Sequence, residues 1–299
     1  MSDKSGSASS QAAIDASALA ADLNEVRRQL TGEVKLRQAI IKPLDRAQRA
    51  LKDPHRNAVA LHEAGDTLSQ PPEEVALPRG YDKLIKQLRT LADEKLSELE
   101  FTFARDLREA FAEAAVKLEG PPTKLIADLF VIEPDLRKKQ VQMTFSRQMV
   151  TRGAIKLEVE KVVTSYQRAR REICEREVDL DELLKGLFEA YRRTLKLNDD
   201  KLGARASIVE CYRELVLVRQ PMAFRRAPAK TSFVDYPKTH FIYDLLQLRQ
   251  KRRMNYQNHR LNLGVSTIEV GADSTRAMFL ATSATEGQFI KDLYFTMEK

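Results

Sequence analysis

The richest set of anion-binding groups in the chain lies at residues 246–260, LQLRQKRRMNYQNHR. This stretch holds Arg249, Lys251, Arg252, Arg253 and Arg260 and contains no Asp or Glu. A guanidinium presents a planar fork of N–H donors that grips phosphate at two points, and an ammonium adds a mobile point charge. Arg249, Arg252, Arg253, Tyr256 and Arg260 recur at steps of three or four, a spacing that gathers them on one broad face of a helix. Gln250, Asn255, Gln257 and Asn258 add hydrogen-bonding groups without negative charge. Tyr256 offers a ring for stacking on a splayed base or a sugar. Arg225, Arg226, Lys230 and Lys238 extend the positive set across the preceding loop.

This pattern predicts contact with a DNA or RNA backbone, without reading of sequence and weakened by salt. An acidic protein surface is the competing partner, on this chain or on a neighbouring subunit. A solvated face that only aids solubility, or an anionic membrane surface, would use the same residue types. Tyr256 has a second reading as well, packing against a neighbouring element.

The charge is local. Residues 1–200 carry 34 Lys or Arg and 34 Asp or Glu, whereas residues 219–260 carry ten basic and two acidic residues. The net charge of +7 therefore belongs to the C-terminal third. Such a balance favours acidic partners without choosing among them.

Other reactive groups form no convincing set. His55, His62, His240 and His259 have no zinc-ligand spacing with each other or with Cys174 and Cys211. His55 and His62 would lie two turns apart if both were helical. No Gly-rich phosphate loop, nucleophile elbow or HExxH motif occurs. DLDE at 179–182 reads as the acidic start of a helix, with Asp179 or Asp181 as its cap. Ser283 and Glu286, in ATSATEG, have capping-box spacing. The sequence therefore predicts no catalytic residue, no metal ligand and no cofactor. Two cysteines in 299 residues do not resemble a disulfide framework and fit a reducing, cytoplasmic setting. The first residues lack the apolar core of a signal peptide, and no apolar run is long enough to span a membrane.

The elements that must position the basic set read mainly as helices. Apolar residues at steps of three and four run through 13–52, with Pro43 predicting a kink or two shorter helices. Residues 53–80 hold four prolines and two glycines and read as a linker with a short helical turn near 57–63. A second long helix follows from Tyr81 to Leu118. A third is expected over 141–173, from Val141, Phe145, Met149, Ile155, Val159, Val162, Tyr166, Ala169 and Ile173. Further helices are expected at 179–197, 204–218 and 240–258. Strands are expected near 261–265 and 276–282 with a turn at 271–273. A final helix is expected through Phe289, Ile290, Leu293, Tyr294 and Met297, with a third strand as its alternative.

The predicted fold class is mainly α: a long-helix bundle or coiled-coil body with a small C-terminal α/β module. Its parts are a disordered tail over 1–12, a helical body over 13–220 and a basic module over 221–299. The predicted function is a non-catalytic accessory or scaffold subunit that contacts nucleic acid through a basic C-terminal helix. The alternatives are a purely protein-binding component of an oligomeric assembly and, third, an enzyme. Protein subunits or further copies of the chain are the expected assembly partners.

Overall fold

The computed structural model describes residues 16–267 and 273–298. The chain divides into two compact units, residues 1–99 and 100–299.

The first unit is helical. Helix α1 (Ala16–Ala50) contains both Gly32 and Pro43. Helix α2 (Ala58–Leu68) occupies the Pro-rich segment and extends the turn expected there. Helix α3 (Tyr81–Glu113) begins in this unit. Ile40 of α1, Leu68 of α2 and Tyr81 and Ile85 of α3 share one buried cluster. The Tyr81 hydroxyl donates to the Leu68 carbonyl at 2.9 Å, satisfying one carbonyl at the end of α2. His62 sits between two carboxylates, with Nδ1 3.1 Å from Asp66 and Nε2 3.1 Å from Asp93. His55 precedes α2 and faces Glu98 at 2.9 Å, so the two histidines do not share a helix face.

The second unit overturns the predicted bundle. It is built on two antiparallel sheets of six and five strands. The first sheet contains β1 (Leu118–Glu119), β2 (Leu125–Ala127), β3 (Phe130–Asp135), β4 (Gln140–Phe145), β5 (Gln148–Met149) and β6 (Ile155–Lys156). Its order is β1-β2-β3-β4-β5, with β6 also paired to β4. The long helix expected over 141–173 is therefore two strands and part of a third, followed by α4 (Val159–Ile173). A step of four keeps residues on one face of either a helix or a strand. Val141 and Phe145 are thus compatible with both. Met143 decides the matter: Val141, Met143 and Phe145 are fully buried, while Gln142 is exposed. That period of two is the pleat of a sheet. Ser146 and Arg147, both at positive φ, close the β4–β5 hairpin in the left-handed conformation of its tightest turns.

Helices α5 (Leu180–Leu197), α6 (Ile208–Val218), α7 (Met222–Arg226) and α8 (Lys238–Gln250) follow, with β7 (Ala206–Ser207) just before α6. Asp179 caps α5 as its sequence indicates, accepting from the Asp181 and Glu182 amides at 3.0 Å. The second sheet contains β8 (Asn255–Tyr256), β9 (His259–Val265), β10 (Met278–Ala281) and β11 (Gly287–Met297) in the order β10-β11-β9-β8, with β7 on β11. The expected strands over 261–265 and 276–282 are present. They pair with β11 rather than with each other. The predicted turn at 271–273 falls partly outside the described residues. Ser283 accepts from the Glu286 amide at 3.0 Å, but this bond tightens the β10–β11 hairpin instead of starting a helix.

The final element is a strand, and a bulge disguises it. The register shifts between Ile290 and Asp292, and an extra residue reverses the in–out parity. Ile290, Leu293 and Phe295 are all buried, and the step of three imitates a helix.

A single core joins these elements, from Leu107 and Phe111 of α3 through the first sheet to Leu293 and Phe295 of β11. The Ser146 hydroxyl links the two sheets. It donates to the Phe279 carbonyl at 2.5 Å and accepts from the Ala281 amide at 3.1 Å, on the β10 strand. The Arg147 guanidinium lies 4.4 Å from the Phe279 ring centre and 4.9 Å from that of Phe289. Both distances are within cation–π range.

Candidate nucleic-acid interface

The predicted basic helix ends inside the basic run. Helix α8 stops at Gln250. The Arg253 amide donates to the Leu248 carbonyl at 2.9 Å and the Arg252 amide to the Arg249 carbonyl at 3.2 Å. Arg252 itself is in the left-handed conformation, φ 54°. These are the bonds of a Schellman ending, with Arg252 where glycine is usual. The chain then enters the short β8–β9 hairpin. Only Arg249 of the proposed helical face is on the helix. Arg252 and Arg253 lie in the turn, Tyr256 on β8 and Arg260 on β9.

This turn nevertheless gathers part of the predicted set. Arg249, Arg252 and Arg260 line one concavity of about 520 Å³. Asn255, Asn262 and Gln288 line it too, with Met254 and Leu263 contributing apolar surface. All three arginines are exposed, and none has a carboxylate within ion-pair distance among the described residues. Glu298 is the one carboxylate in the lining, and it accepts from the Asn255 amide at 2.7 Å. The Asn262 amide nitrogen donates to the Arg260 carbonyl and to the Thr296 hydroxyl, each at 3.0 Å, holding Arg260 and its neighbours in register. A strand pair and a helix end thus present three positive groups from one rigid rim.

The remaining candidates stand outside this lining. Arg253 is turned to the start of α5, its Nη1 lying 3.0 and 2.9 Å from the two Asp181 carboxylate oxygens. Tyr256 packs on Phe188, with ring centres 5.4 Å apart. Its ring therefore serves packing, the second of the two readings given above. Arg225 donates to the Val218 carbonyl, and Lys238 lies 3.4 Å from the Ser274 carbonyl. Arg226, Lys230 and Lys251 are exposed. Sequence reasoning missed Asn262, Gln288 and Glu298. Asn262 is close to Arg260 on β9, whereas Gln288 and Glu298 reach the site only because β9 and β11 are neighbours, a pairing that distance along the chain conceals.

A second polar group lies in the core. Asp244 of α8 is fully buried. It pairs with Arg176 and accepts from the Tyr236 hydroxyl at 2.5 Å. Burial pushes its carboxyl above the usual range, against the opposing effect of Tyr236 and Arg176. Burial and the nearby Arg176 push His240 down. The Arg219 guanidinium covers the Tyr236 ring at 4.3 Å. This cluster fixes α8 against the segment before α5 and so sets where the basic turn emerges. Cys174 and Cys211 are free thiols, pushed by burial to about 11 and about 12.

Comparison with protein-family models, curated proteins and solved structures finds no match for this chain. Function must therefore be argued from the site itself.

Proposed function

We propose that the protein is a non-catalytic accessory or scaffold subunit that contacts a nucleic-acid backbone through the turn after α8 and the adjoining β9 strand. The single observation behind this reading is the convergence of Arg249, Arg252 and Arg260 on one concavity, exposed and without ion-pair partners among the described residues. Phosphate contacts of this type supply affinity without base reading. Basic residues at this density on a protein surface also raise the association rate with polyanions.

The scaffold part of the reading rests on α1. Leu23, Val26, Leu30, Val34 and Ile41 are each more than half exposed, at steps that keep them near one face of the helix. An apolar helix face of this kind is suited to a protein subunit, either a different chain or a further copy of this one. No helix among the described residues is long and apolar enough to cross a membrane. The two free thiols agree with a reducing, cytoplasmic compartment.

Fluorescence anisotropy with unrelated DNA and RNA over a salt series tests the nucleic-acid part. Binding should weaken linearly on a log–log salt plot. Each of Arg249→Gln, Arg252→Gln and Arg260→Gln should lower the slope by about one. Slopes unchanged in all three variants would refute the assignment. An acidic protein captured equally well by the triple variant would also count against this surface as the contact.

A further inference from the structure

The shape of the concavity carries more than a positive charge does. A flat basic surface suits an internal stretch of backbone. A concavity of about 520 Å³ falls within the size of small-ligand clefts, roughly 300–1,000 Å³. Its size suits a single nucleotide. The lining sets three guanidinium groups against one carboxylate, Glu298, a formal excess of two positive charges. An internal phosphodiester carries one negative charge. A phosphate monoester carries about −1.5 to −2 at neutral pH and offers three acceptor oxygens.

The polar residues of the lining are arranged for an end group as well. Asn255 donates to Glu298, which holds the carboxylate at one side of the lining. Asn262 uses its amide nitrogen on Arg260 and Thr296, and its carbonyl oxygen remains an acceptor. Gln288 adds a further amide. Three phosphate-gripping side chains beside amides and the apolar surface of Met254 and Leu263 match a charged end attached to a base.

We infer that this concavity receives the terminal phosphate of a single nucleic-acid strand, held by Arg249, Arg252 and Arg260, with the terminal base beside Asn262 and Gln288. This inference rests on the nucleic-acid reading above and names the part of the polymer that the site takes. Either end of a strand supplies the same phosphate monoester, so the experiment distinguishes the two.

The full-length protein is titrated with short single strands of one sequence, labelled at the opposite end, that carry a 5′-phosphate, a 3′-phosphate or only hydroxyls. One phosphorylated form should bind roughly ten-fold more tightly than the hydroxyl form, the gain expected from one charge-assisted contact beyond those of a diester. Arg249→Gln/Arg252→Gln/Arg260→Gln should abolish that difference, while Arg192→Gln, an exposed change on α5, should retain it. On the wild-type protein, a nucleoside monophosphate should displace the strand where the matching nucleoside does not. Equal binding of phosphorylated and hydroxyl strands, all lost in the triple variant, would overturn end recognition and leave backbone contact standing. No binding of any strand at low salt would overturn both.

Discussion

The Arg253 amide donates to the Leu248 carbonyl across the end of α8, and the φ of 54° at Arg252 makes this bond possible. Two of the three arginines of the concavity are thus placed by one helix ending. A side chain at positive φ costs about 1–2 kcal/mol relative to the right-handed region, and glycine avoids that cost. Arg252→Gly should therefore raise stability by about 1 kcal/mol, less than the full penalty because glycine also gains freedom in the unfolded chain. The same change should weaken nucleic-acid binding several-fold. Thermal unfolding and anisotropy on the same sample check both signs. A stabilised variant with undiminished binding would remove Arg252 from the contact.

Arg253 has a different part, although it is the nearest neighbour in sequence. It is held by both oxygens of Asp181, on an exposed pair worth about 0–1 kcal/mol. Arg253→Gln should lower affinity less than Arg252→Gln. Asp181→Asn should release the Arg253 charge and raise affinity about two-fold at low salt, an increase lost at high salt. A fall in affinity on Asp181→Asn would show that the carboxylate organises the contact instead of masking it.

The Asp244 cluster makes stability depend on pH in a defined direction. His240 is held below its ordinary value of 6.5 by burial first and by Arg176 second, with Glu172 and Asp235 opposing and Arg219 adding to the shift. A histidine with a lowered folded value contributes stability above 6.5 and loses it as pH falls through that folded value. Unfolding free energy should thus decline on acidification below about 6.5. His240→Gln should flatten that part of the profile relative to wild type. Asp244 works oppositely, since its folded value is raised and its contribution fades as pH rises through it. Replacing it removes more than charge. Asp244→Ala leaves Arg176 and the Tyr236 hydroxyl without their buried partner, and should cost about 3–5 kcal/mol. Chemical denaturation across pH measures all three effects.

What could be read in advance followed the physics of each segment. Helices α5 and α6 were legible because a cap and an uninterrupted amphipathic stripe agree: Asp179 caps α5, and Leu183, Leu184, Leu187 and Tyr191 are buried behind it. The first sheet was not. Val141 and Phe145 satisfy a helical step and a strand alternation equally, and only the burial of Met143 between them separates the two. In β11 a bulge concealed the alternation. For the site, the residue types and their grouping were visible, but the geometry was not. The helical face assumed for Arg249 to Arg260 required the helix to continue, and nothing in the residue types announces an arginine in the position usually taken by glycine.

Gly287 is the point where the second sheet admits no side chain. A Cβ there would lie 2.4 Å from the Leu280 carbonyl oxygen and 2.7 Å from the Phe279 ring. Gly287 pairs with Ala281 at the start of β11, so backbone and aromatic ring would both have to move. The ring is also fixed from the other side, by Phe289 at 5.0 Å between centres and by Arg147. Gly287→Ala should destabilise the protein by about 1–3 kcal/mol, the usual range for overpacking. Because Ser146 bonds to β10 at Phe279 and Ala281, the disturbance should reach the β4–β5 turn. Amide exchange should quicken at Ala281 and around Ser146 and remain unchanged in α2. The arginine rim lies at the other end of the β9–β11 pairing, where Arg260 faces Thr296. Gln288, however, adjoins Gly287 and lines the same concavity, so under conditions where the variant stays folded its affinity for nucleic acid should fall, by less than in Arg260→Gln. Affinity equal to wild type in a folded variant with quickened exchange would remove Gln288 from the contact.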